Sequence, residues 1–216
     1  MDRIGVVGAS YRHSTAEQVA RFAIPRGELE ARLPQLSTAL RGAEVLYLST
    51  CNRVEVLYVL GAGPAADLRP EVFRALLKRE PRNGEAASAL RTWTGEAAIE
   101  HLFLVACGLD SAQAGEQEIY VQLRAAWDAA RAARTTGPQL DRIMSEALAM
   151  ARDAHRLESH RAPSLADLAA ERVLAHVAPP AAAHPSWYVA LLGVSPMTRR
   201  CGSRLAQSGL PLLVVN

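Results

Sequence analysis

The chain has 216 residues, half of them hydrophobic and 21% charged, with a formal net charge of +2. That is enough apolar matter for one large domain or two modest ones, and it excludes wholesale disorder. The small net charge excludes a strongly basic nucleic-acid binder, because 23 arginines against the single Lys78 reflect codon usage rather than a basic partner surface.

No apolar run approaches the ~18 residues of a membrane span, and the start, MDRIGVVGASYRHS, lacks the apolar stretch of a signal peptide. Cys51, Cys107 and Cys201 form neither a disulfide framework nor a pair at metal-ligand spacing. A cytoplasmic chain with reduced thiols and no metal is expected.

In chain order, Ile4–Ala9 reads as a strand. Pro25 opens a helical pattern through Leu29, Leu33 and Leu36, with Pro34 as a kink or break. Val45–Leu48 and Val54–Leu60 are two further strands around the polar turn Ser49-Thr50-Cys51-Asn52-Arg53. GAGP at 61–64 closes this unit, and Val72, Leu76 and Leu77 mark another helix. Strands alternating with helices suggest a small α/β domain. From Gly95 the pattern turns helical, through Ile99, Leu102, Phe103 and Val105 to Gly108. Gly115–Arg134 and Leu140–Leu157 continue it, the latter with apolar Ile143, Leu148 and Met150. A helix with Pro163 in its first turn runs to about Val177. Beyond the Ala/Pro spacer 178–185, Tyr188–Leu192, the turn Gly193–Thr198, an Arg-rich helix to Ala206 and Leu210–Val215 read as strand–turn–helix–strand, the opening of a nucleotide-binding βαβ unit. Two parallel strands do not make a domain, so this last part is expected to be incomplete.

Three places carry candidate chemistry. Cys51 sits in a polar turn with Arg53 two residues on, where a cation and exposed amides would favour the nucleophilic thiolate; the alternative is a small buried hydrophobe. Cys107 and Cys201 read as packing. His101 is either a base or polarising donor or a satisfied core residue. Gly108-Leu-Asp-Ser-Ala-Gln-Ala-Gly-Glu116 either caps a helix or supplies fixed donors and acceptors for an amino acid.

Ser49-Thr-Cys-Asn-Arg53 with Val54-Glu55-Val56, Gly95-Glu96-Ala-Ala-Ile-Glu-His101-Leu-Phe, and Gly108-Leu-Asp-Ser-x-x-x-Gly-Glu116 resemble glutamyl-tRNA reductases in order and spacing. The resemblance runs from Gly8 to Asn216. It implies an N-terminal α+β catalytic domain with a long helical segment over 1–160, followed by the start of a Rossmann-like NADPH-binding domain over 161–216. The implied reaction is NADPH-dependent reduction of glutamyl-tRNA to glutamate-1-semialdehyde, the first committed step towards tetrapyrroles. Cys51 then inherits the nucleophile role through a glutamyl thioester, and His101 stands at a position needed for activity. Thr50, Asn52, Arg53, Ser111, Glu116, Glu118 and Gln122 fall on the substrate-binding positions, with Glu118 where the family has Gln. Arg53 suits a carboxylate and Glu116 an ammonium. Gly193, Val194, Ser195, Pro196, Met197 and Thr198 fall on the cofactor turn. Implied partners are glutamyl-tRNA, glutamate-1-semialdehyde aminomutase and a second copy of the chain, although the family's dimerisation segment is not in this sequence. Arg124, Arg131, Arg134, Arg142, Arg152 and Arg156 are the candidate phosphate contacts, or only solubilise their helices.

The departures are specific. Tyr11-Arg12-His13-Ser14 follows Gly8-Ala-Ser10 where the family has His-Lys-Ser/Thr-Ala-Pro. Val19 replaces an arginine, Val121 a glycine, and Leu157-Glu158-Ser159 a Thr-Glu-Thr-like segment. In the cofactor turn, Ser195 and Thr198 replace the second and third glycines. Two other readings therefore stay open: acyl transfer or hydrolysis without reduction, and a non-catalytic module that binds glutamyl-tRNA.

Overall fold

Strands that are apolar on both sides of the pleat need cover on both faces. The computed structural model describes residues 3–63, 67–111, 118–157, 164–177 and 188–215, and the chain divides into two compact units, Met1–His160 and Arg161–Asn216. In the first, β1 (Ile4–Ser10), β2 (Glu44–Ser49), β3 (Arg53–Val59) and β4 (Arg91–Thr94) form a sheet in the order β2-β3-β1-β4. Each neighbouring pair is antiparallel, with Gly8 opposite Glu55 and Ser49 opposite Val54. The strand–helix alternation that suggested an α/β arrangement thus resolves into an antiparallel α+β unit.

One face presents Val7, Val45, Tyr47, Val54, Val56 and Tyr58 to α1 (Ala16–Ala20), α2 (Leu29–Ala39), α3 (Arg69–Leu77) and α4 (Glu85–Ala89). The other presents Ile4, Val6, Leu46, Leu48, Leu57 and Val59 to α5 (Glu96–Ala106), α6 (Glu118–Ala132) and α7 (Pro138–Leu157). On α7 the buried stripe is Leu140, Met144, Ala147, Leu148 and Ala151, at helical spacing. Met150, expected on the apolar side, is instead 52% exposed, because it falls off that stripe.

The short elements α1, α4 and β4 were not anticipated. For α1 a signal existed: Thr15 caps the helix and Gln18 returns the bond, a capping box. Pro34 does not break the chain into two elements: α2 continues through it to Ala39, anchored by buried Leu33 and Leu36 on either side. The lost i→i−4 bond is local, and packing of the apolar face outweighs it.

Gly8 lets β3 lie close against β1. A Cβ there would stand 2.3 Å from the Val54 carbonyl oxygen and 2.6 Å from Glu55 Cγ. Gly8→Ala is therefore expected to destabilise the unit by about 1–3 kcal/mol, the range for an overpacked core. A urea midpoint that does not move would contradict this close approach.

In the second unit, α8 (Leu165–His176), β5 (Val189–Leu192), α9 (Pro196–Gln207) and β6 (Leu212–Val215) enclose a small core of Ala166, Ala170, Cys201 and Leu205. β5 and β6 are parallel, Val189 opposite Leu212, and α9 is the crossover that parallel strands require.

Candidate active site

β2 ends at Ser49 and β3 begins at Arg53, so residues 50–52 form a tight hairpin loop with Cys51 at its tip. Thr50 builds this loop: its N–H donates to the Arg53 carbonyl at 2.8 Å, and its Oγ1 accepts from the N–H groups of Asn52 and Arg53, both at 3.1 Å. The hydroxyl thus fixes the turn that holds Cys51 out, and Cys51 is exposed. Cys107 and Cys201 are buried, as their packing role predicts, and burial pushes the Cys201 thiol up. Alkylation at neutral pH is accordingly expected to modify Cys51 about a hundredfold faster than the other two. Comparable rates at all three, followed by peptide mapping, would contradict the exposure difference.

Period-two alternation puts Arg53 and Glu55 on the same side of β3, facing α5. Arg53 is 1% exposed. Its Nη1 donates to Glu55 Oε1 at 2.9 Å, and its Nη2 donates to the Asp110 carbonyl and, at 3.1 Å, to Asp110 Oδ2. Glu55 Oε1 also meets His101 Nε2 at 3.0 Å. Trp93 on β4 stacks on the imidazole, centroids 3.9 Å apart and planes 7° apart. A carboxylate acceptor favours the tautomer with the proton on Nε2, which leaves Nδ1 as the other ring nitrogen. A cavity of about 10 Å³, lined by Glu55, His101, Leu48, Leu57 and Leu123 among others, adjoins this pair. Its size is on the order of one water molecule.

Arg53, the cation suited to a substrate carboxylate, has its guanidinium buried and bonded to Glu55 and Asp110. The cation at the rim is Arg12, whose side chain is 47% exposed and whose Nε donates to Asp110 Oδ1. Tyr11 ties the same corner together, its N–H to the Asn52 carbonyl at 2.8 Å and its hydroxyl to the Ser111 carbonyl at 3.0 Å. One hydrogen-bonded corner therefore gathers Thr50, Cys51, Asn52, Arg53, His101 and Ser111, together with Tyr11, Arg12, Glu55, Trp93 and Asp110.

Sequence reasoning missed Glu55 as the hub. The available signal was a carboxylate two residues from an arginine inside an otherwise apolar strand. Of the remaining expected substrate residues, Glu118 opens α6 and Gln122 follows one turn later, both half-buried. Glu116 lies outside the described residues. Arg124, Arg131, Arg134, Arg142 and Arg152 are exposed, as a phosphate-facing or merely solvated surface would be. No helix among the described residues is long and apolar enough to cross a membrane.

Fold and site together define a mixed α/β protein that displays one cysteine on a hairpin tip, next to a buried Arg–Glu–His chain. Comparison with known proteins makes this more specific. The model of the glutamyl-tRNA reductase N-terminal domain matches residues 7–157, and the chain belongs to that family. It is 33% identical over 216 residues to a glutamyl-tRNA reductase of Kineococcus radiotolerans, covering 98% of this chain and 47% of the relative. A glutamyl-tRNA reductase of Salinispora arenicola is 37% identical over 154 residues, 69% of this chain and 33% of the relative. The solved glutamyl-tRNA reductase from Methanopyrus kandleri shares the fold, with a TM-score of 0.64 at 23% identity, over 99% of this chain and 49% of that one. The chain spans less than half the length of these relatives, which are named for an oxidoreductase.

Proposed function

We propose that this chain takes the glutamyl group of glutamyl-tRNA onto Cys51. The observation that carries the proposal is the placement of Cys51, exposed at a loop tip that Thr50 holds rigid. The thiolate sulfur attacks the ester carbonyl carbon and the tetrahedral intermediate collapses. A C–S bond has then formed, and the ribose oxygen has left and taken up a proton, giving a thioester and uncharged tRNA. Arg12, its side chain 47% exposed at the rim, is in this reading the cation that receives a carboxylate of the substrate. Glu55 positions both Arg53 and His101, and Nδ1 of His101 is the ring nitrogen left to exchange a proton. Arg53 can take a substrate carboxylate only by giving up Asp110.

The family reading continues with hydride transfer from NADPH to give glutamate-1-semialdehyde, the start of tetrapyrrole synthesis, and the aminomutase, a second copy of the chain and a cytoplasmic setting belong to that reading. The residues of the turn Gly193–Thr198 do not fit the dinucleotide, so the proposed chemistry of this chain ends at the thioester. That misfit also favours a second reading, in which water releases glutamate from Cys51.

The test is a rapid-quench assay with labelled glutamyl-tRNA and no NADPH. A burst of uncharged tRNA of about one equivalent per chain is expected. Charged tRNA that stays intact would contradict the proposal and leave a binding module.

A further inference from the structure

The turn between β5 and α9 is where a dinucleotide pyrophosphate would sit if this unit bound one. Such a site needs unoccupied N–H groups in the first helical turn and a close backbone approach at the second glycine. Gly193 retains the first requirement of the motif, a tight turn with φ +83°, and its N–H donates to the Val215 carbonyl at 2.7 Å. Beyond Gly193 the helix start is already filled. Pro196 at the first helical position has no N–H. The Thr198 N–H donates to Ser195 Oγ at 3.1 Å, and the Ser195 N–H donates to Thr198 Oγ1 at 2.7 Å. These bonds close a reciprocal capping box, with the two hydroxyl oxygens 3.1 Å apart. Among residues 195–198, Met197 is left with the one N–H outside the box. A phosphate would have to displace the Ser195 hydroxyl from the place it would itself occupy.

Two further observations agree. Arg200, one turn on, donates from Nη2 to Asp167 on α8 at 3.1 Å, and Arg204 donates to Glu171 at 3.1 Å. Gly202, one turn later, packs on the β5 side chain of Leu191, whose Cδ1 would stand 2.7 Å from a Cβ there. Thr198 serves the cap, its N–H donating to Ser195 Oγ and its hydroxyl to the Ser195 carbonyl.

We propose that Gly193–Thr198 is a self-capped helix start that shuts out a dinucleotide pyrophosphate, so that the chain does not hold NADPH there. Fluorescence titration of the whole chain with NADPH tests this independently of Cys51 chemistry, since an acyl adduct needs no dinucleotide. No saturation is expected up to about 1 mM, and Ser195→Gly with Thr198→Gly is expected to tighten binding at least about tenfold. Ser195→Gly alone retains an acceptable cap residue, should the double variant lose α9, and is expected to shift binding in the same direction. Hydrogen exchange at the Thr198 amide of the unaltered chain is expected to stay the same when NADPH is added. Saturation in the micromolar range with slowed exchange at Thr198 would overturn the proposal. So would folded glycine variants that bind no better, because the exclusion would then not lie in the two hydroxyl side chains.

Discussion

Replacing Cys51 with serine is expected to reduce the burst of uncharged tRNA by at least about a thousandfold, the scale on which loss of a nucleophile is felt. Stability is expected to remain within about 0.5 kcal/mol, since Cys51 is exposed and contributes nothing to either core. These two readouts separate a chemical role from a structural one. The loop is built by Thr50 through its hydroxyl and by the β2–β3 ladder, neither of which the substitution touches. A serine hydroxyl at the same tip is a far poorer nucleophile near neutral pH than a thiol, so geometry alone does not rescue the reaction. A Cys51→Ser chain that still gives the burst would remove the thiol from the account.

Glu55→Ala is expected to be the most destabilising single change at the site, by about 3–5 kcal/mol, because it strands a buried guanidinium. Arg53 would keep Asp110 but lose the acceptor for Nη1, and His101 would lose the acceptor for Nε2. Glu55→Gln retains an acceptor oxygen of similar shape and is expected to cost about 1–2 kcal/mol. Chemical denaturation of the three chains side by side gives the comparison. An alanine variant within 0.5 kcal/mol of the parent would mean that the buried chain contributes little. It would also mean that Trp93 and the helix alone hold His101. If Glu55→Gln folds well but loses the tRNA burst, the carboxylate charge acts on the chemistry through His101 and Arg53.

The sequence made the nucleophile easy to find and the hub hard to see. Cys51 stood in a polar turn between two apolar runs, and a hairpin tip is what such a turn becomes. Glu55 stands within an apolar strand pattern, Val54-Glu55-Val56, with no local signal of its partners. Local pattern cannot tell a carboxylate that faces water from one that is buried against an arginine, since the deciding fact is whether the far face of the sheet is covered. Here α5–α7 cover it, and period-two alternation then forces Arg53 and Glu55 to satisfy one another. The antiparallel order β2-β3-β1-β4 was hidden for a related reason: register and pairing depend on contacts across 40 residues and more, as between Gly8 and Glu55. β4 was missed because four residues carry too little periodicity, yet it supplies the ring that stacks on His101. In the second unit the strand–turn–helix–strand pattern was legible. That Ser195 and Thr198 would bond to each other required the helix start to be seen in three dimensions.

Intact-protein mass measurement after a brief incubation with glutamyl-tRNA, without NADPH and quenched in acid, bears most directly on the thioester. The expected result is a glutamyl-sized addition that maps to Cys51, sensitive to hydroxylamine and missing from the Cys51→Ser chain. An unmodified chain with glutamyl-tRNA recovered intact would contradict acyl transfer to Cys51.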